Sequence, residues 1–227
     1  SLGDGRQELL ACNNWASTIT RHTIDRSGVV TGGEVMARKW LDLPDGLAVS
    51  GDGQWLAVSN HNSHSVLVYE YPTLGEGSDP VGVLRGALYP HGVRFGPGDR
   101  TLLVADAGAP YVHVFDAPGI GWSGVGYPAT TIRVMDEETF ARGHRNPQEG
   151  GPKGIDVDAR TNVLVITSEC QPLAFFDLGA AVDRDWHDGA ADALVGYELA
   201  LLAEIERVKR DAGAARRVID ELQQTKA

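Results

Sequence analysis

Three tripeptides of one pattern carry three different chemistries at their centre. Pro44-Asp45-Gly46, Pro90-His91-Gly92 and Pro152-Lys153-Gly154 offer a carboxylate, an imidazole and an ammonium at the same repeated place. An imidazole titrates near neutrality, so His91 is the candidate general acid or base. A second set follows downstream. Asn13, Asn60, Asp106 and Ser168 share one equivalent position, with His61, His64 and Glu169 close behind. Asn and Asp after a strand commonly cap a turn by accepting backbone amides, so Asn60 and Asp106 read first as structural caps and second as ligand-binding groups. Residues that differ between repeats (His91, Lys153, His61, His64) are the better bearers of function. His61 and His64 flank Asn62 without a third fixed partner, which is too little for a metal site, and neither metal nor cofactor is expected. The chain has no Walker A loop, serine-nucleophile elbow, HExxH or Rossmann fingerprint; Gly119 to Gly124 has spaced glycines but opens no helix.

The elements that must position these groups are short and periodic. Twelve positions after each proline comes an apolar alternation: Leu56-Ala57-Val58, Leu102-Leu103-Val104, Leu164-Val165-Ile166. Turn residues such as Gly51-Asp52-Gly53 precede it, which describes a β-hairpin. Third strands follow at Val66–Tyr69, Val112–Phe115 and Leu173–Phe176, and further strand-like runs at Met36–Leu41, Val81–Leu84 and Thr131–Met135. Four strands per repeat is the composition of a propeller blade. The start of strand one and the end of strand two share an edge, so Asp45, His91 and Lys153 gather at one mouth with Asn60, His61, His64 and Asp106. That mouth is where a small-molecule or protein ligand would bind.

The first period is 46 residues and the second 62. The excess falls in 117–130 and 137–151, both expected to be long loops. Leu9 to Asn13 matches Leu56 to Asn60, so the chain opens inside a blade. The expectation is therefore an all-β propeller of about three and a half four-stranded blades over 1–180, a linker at 181–189 and a long C-terminal α-helix over 190–227. The chain reads as a fragment of a longer polypeptide, with a small four-bladed or open arrangement as the alternative. The helix carries a heptad seam, Glu198/Leu201, Ile205/Val208, Ala212/Ala215 and Ile219/Leu222, which gives it a means of self-association.

Composition narrows the partners. A net charge of −11 argues against tracking nucleic-acid phosphates or anionic membranes. No apolar run approaches the ~20 residues of a membrane span. Cys12 and Cys170 are far apart and outside any CxxC, as for structural thiols in a reducing, cytoplasmic compartment.

The segments from Pro44 to Tyr69 and from Pro90 to Asp116 resemble repeats of the lactonase-type and YVTN/NHL-type β-propellers, and the resemblance covers roughly residues 9 to 178. It implies the fold, and with the Pro-His turn of the lactonase-like branch it admits a 6-phosphogluconolactonase-type hydrolase of a sugar lactone. There His91 would be catalytic, polarising or deprotonating, and Asp106 or Asn60 would orient the substrate or an ion. Other members of the family bind without catalysing. The Ala/Arg/Glu/Leu tail is similar to linker helices beside glycosyltransferase domains in bacterial surface-polysaccharide synthesis. Together these imply a ligand- or protein-binding module of a larger bacterial protein, with lactone hydrolysis as the alternative.

Overall fold

The computed structural model describes residues 5–117 and 121–182. The helix expected at 190–227, and most of the linker before it, lie outside the described residues. No helix among the described residues is long and apolar enough to cross a membrane.

Four small sheets follow one another along the chain. The first comprises β1 (Gln7–Asn13), β2 (Thr18–Ile24) and β3 (Val30–Ala37); the second β4 (Pro44–Val49), β5 (Trp55–Asn60), β6 (Ser65–Glu70) and β7 (Gly82–Arg85). The third holds β8 (Pro90–Phe95), β9 (Thr101–Asp106) and β10 (Tyr111–Asp116). After β10 the short β11 (Gly124–Gly126) returns to pair in parallel with β7, and β12 (Thr130–Arg133) then completes the third sheet. The fourth is β13 (Gly154–Asp158), β14 (Val163–Thr167) and β15 (Ala174–Asp177), followed by the short helix α2 (Leu178–Val182). All other pairings are antiparallel.

The apolar alternation explains the stacking. On β5, Leu56 and Val58 pack toward the first sheet with Ile19, Met36 and Tyr69, while Ala57 faces the third with Val93, Leu102 and Val104. On β9, Leu103 turns instead to the fourth sheet and meets Leu164 and Ile166. Strands buried on both faces read as continuous apolar runs, and each fully buried Leu or Val contributes roughly 1.5–3 kcal/mol.

Three expectations are corrected. The strand expected at Met36–Leu41 ends at Ala37, because Asn60 captures the Trp40 carbonyl and the Asp42 amide and draws 38–43 out as a lead-in loop to β4. Within 117–130 a strand forms after all. Gly82 has no side chain, so the Trp122 carbonyl approaches within 2.0 Å of where a Cβ would be, and the buried Trp122 ring anchors β11 on β7. Within 137–151 the chain makes helix α1 (Glu137–Gly143), capped by Asp136, whose side chain accepts the Thr139 amide at 2.7 Å.

The inner strands meet through the repeated tripeptides. A Cβ on Gly46 would stand 2.2 Å from the His91 carbonyl oxygen, and one on Gly92 2.5 Å from that of Lys153. The Gly92 amide donates to the same Lys153 oxygen at 2.8 Å. Each glycine is thus the point where one inner strand touches the next.

Gly46→Ala and Gly92→Ala should each cost about 1–3 kcal/mol by forcing these strands apart. Gly75, with nothing within 4 Å of its would-be Cβ, should tolerate alanine within about 0.5 kcal/mol. Thermal melts would show the difference, at roughly 2–4 °C per kcal/mol.

Candidate functional site at the mouth

A bulge precedes the site in both complete sheets. The ladder between β4 and β5 jumps from Pro44 to Leu47, and that between β8 and β9 from Pro90 to Val93. Asp45-Gly46 and His91-Gly92 therefore leave the regular alternation, a device that re-aims side chains. In the second sheet the Ser59 hydroxyl accepts the freed Gly46 amide at 2.7 Å.

Asp45 is the hub, and groups from all four sheets act on it. Asn14, in the β1–β2 turn, donates its amide to Oδ1. His61, from the short 3-10 turn after β5, brings Nδ1 to 3.0 Å from Oδ2, and His91 brings Nε2 to 3.7 Å from the same oxygen. Lys153 acts on both Asp45 and His91 through its charge. The Asp45 and His61 side chains are only 10% and 7% exposed, so these charges act through little water. Although His61 Nδ1 is close to the carboxylate, it makes no aligned hydrogen bond. His61 Nε2 lies 3.4 Å from Gln148 Oε1, and its ring tilts against Tyr89 at 5.1 Å and stands edge-on to His91 at 6.3 Å.

The electrostatics follow from this packing. Burial works to raise the Asp45 pKa, but close His61 and the charges of His91, His61 and Lys153 outweigh it and hold the carboxyl below its ordinary range. For His91, burial is the largest influence and lowers the pKa; Asp45 works upward, while His61 and Lys153 add to the lowering. The net result is an imidazole kept neutral below the usual histidine range, next to an ionised carboxylate. Cys12 is pushed up to about 12, first by burial and then by the charge of Asp45, and stays a thiol.

The other sequence-derived candidates are engaged elsewhere. Asn60 Oδ1 accepts the Asp42 amide at 2.6 Å, and Asp106 Oδ2 accepts the Leu88 amide at 2.7 Å. Asp42 and Leu88 each stand two residues before the repeat proline, so one repeated position pins one repeated loop. Asp106 also accepts the Tyr89 and Gly108 amides, both at 3.0 Å, and meets His113 Nε2 at 2.9 Å, wholly buried. Asn60 holds a loop in which Trp40 and Leu43 both adopt positive φ, a strained conformation for side chains of their size. His64 donates Nδ1 to the Leu88 carbonyl and packs edge-on to Tyr89 at 4.8 Å, joining the second sheet's turn to the third sheet's lead-in loop. The structure thus groups Asp45, His61, His91 and Lys153. Asn14, Tyr89 and Gln148 join them with no repeat signal to announce it.

No family model matches the chain, and no curated protein sequence does either. Solved structures do match. A Bacteroides fragilis protein assigned as a 6-phosphogluconolactonase is 13% identical, with a TM-score of 0.51 over 74% of this chain and 46% of that one. The periplasmic gluconolactonase PpgL of Pseudomonas aeruginosa is 16% identical, with a TM-score of 0.51 over 71% of this chain and 47% of that one. At such identities the likeness is one of fold, and the fold is that of the lactonase-type β-propellers. The chain spans about half the length of these structures. Nothing in the comparisons bears on surface-polysaccharide synthesis, or on YVTN or NHL repeats in particular.

Opposite charges beside His91 imply opposite responses. Asp45→Asn removes the group that favours the imidazolium and should move the His91 midpoint further down. Lys153→Met removes one that opposes it and should move the midpoint up. Histidine-resolved NMR titration distinguishes the two signs. Asp106→Ala strands two buried amides, a part-buried third and His113, so it should cost about 3–5 kcal/mol in denaturant unfolding.

Proposed function

We propose that this chain forms part of a propeller whose mouth hydrolyses a lactone of sugar-like polarity, with His91 as general base. The observation that carries the reading is a neutral imidazole poised 3.7 Å from a buried, ionised carboxylate. The fold shared with two proteins named as lactonases adds support. With Nε2 turned to Asp45, Nδ1 of His91 takes a proton from water as the water oxygen bonds to the lactone carbonyl carbon. The carbonyl electron pair moves onto oxygen, where the Lys153 ammonium offsets the new negative charge. When that pair returns, the ring C–O bond breaks. The proton on His91 passes to the departing alkoxide, and the product is the open hydroxy acid.

A second reading, a ligand-binding module of a larger bacterial protein, is favoured by the engagement of Asn60 and Asp106 with backbone amides, which takes both away from substrate.

Turnover of glucono-δ-lactone by the full chain, followed with a pH indicator, tests the first reading. His91→Ala should lose about 10²–10⁴-fold in kcat/KM. Protonation disables a base, so the acid limb of the wild-type profile should lie below 6.5, the ordinary histidine value. Hydrolysis no faster than the spontaneous rate, or an unchanged His91→Ala variant, excludes His91 as the base. Calorimetric binding of the lactone without turnover supports the module.

A further inference from the structure

The stretch that lengthens the second period ends at the site. After α1 the chain turns through His144 to Gly151 and is clamped there. His144 Nδ1 donates to the Glu149 carbonyl at 2.7 Å, and the Gln148 amide donates to Asn146 Oδ1 at 2.9 Å. The Gly151 amide donates to the Ala107 carbonyl at 2.9 Å, and a Cβ on Gly151 would lie 2.1 Å from the Asp106 carbonyl oxygen. The clamp fastens the turn to the third sheet, yet Gln148 reaches His61 of the second, 87 residues away in sequence.

We propose that Gln148 is a positioning residue for His91, acting through His61 and Asp45. The proposal rests on the reading of His91 as the base. An amide oxygen only accepts, so the His61 Nε2 that faces Gln148 Oε1 carries a hydrogen. That contact fixes the ring with Nδ1 toward Asp45 Oδ2 at 3.0 Å. The Nδ1 contact with the carboxylate grips only one edge of the ring, and the Nε2 contact with Gln148 grips the other. Gln148 supplies the hold from the far side. The groups facing His91 are Asp45, His61 and Lys153; Asp45 also accepts from Asn14 and in turn acts on the Cys12 thiol. Once the hold is lost, His61 swings off Asp45. The carboxylate then acts on His91 alone, and the positive charge His61 carries when protonated no longer opposes one on His91. Both changes push the His91 midpoint up.

The test uses the full chain with labelled histidines and reads the His91 midpoint by NMR, with no substrate required. Gln148→Leu keeps the volume and removes the acceptor, and Gln148→Ala serves as a second variant. Both should raise the His91 midpoint, as should His61→Phe. In a His61→Phe background, Gln148→Leu should add no further shift. A wild-type midpoint in both Gln148 variants overturns the proposal, and so does a full additional shift on top of His61→Phe. If the midpoints move as expected in a chain that turns over no lactone, the relay stands and only the hydrolase reading falls.

Discussion

The close approach of neighbouring inner strands governs everything else in this molecule. At the third residue of Pro44-Asp45-Gly46 and of Pro90-His91-Gly92, the backbone of the next sheet occupies the space a side chain would fill. Glycine is required there by contact, since neither residue has a positive φ. The same contact fixes the distance between the middle residues of successive tripeptides. A scaffold requirement and a chemical one thus meet in three consecutive residues, and the bulge in each ladder joins them by turning the middle side chain out of the strand's alternation.

The grouping that results is electrostatically uneven. One carboxylate receives an amide and three basic side chains from four sheets, so it remains charged despite burial, while His91, 3.7 Å from it, is kept neutral. Environments that push neighbouring titratable groups in opposite directions set up acid and base roles in one cleft. Asp106 shows the contrasting use of a carboxylate. It is wholly buried and ringed by three backbone amides and His113, so its acceptor capacity is spent on holding a loop.

Much of this was legible in the sequence, for local reasons. Strand alternation, the Pro-x-Gly period and the recurrence of Asn60 and Asp106 are encoded within a few residues of each other, and the sheets follow them closely. The middle positions 45, 91 and 153 were legible because they vary where their neighbours do not. Two of the three departures arise from contacts distant in sequence. No local pattern announces that Asn60 would pull 38–43 into a loop, or that Trp122 would find the bare backbone at Gly82 and seed β11. Asn14 and Gln148 sit in polar turns of ordinary composition, and their place near Asp45 depends on how separate sheets stack.

The bulged tripeptide also separates inheritance of shape from inheritance of chemistry. Proline and glycine answer to the scaffold, whereas the residue between them touches no ladder partner and is free to change. One codon at 45 or 91 therefore exchanges one titratable group for another at the rim without disturbing a strand. A lineage carrying such a ring can explore new reactions by point substitution, one letter per blade, while its architecture stays under unchanged selection.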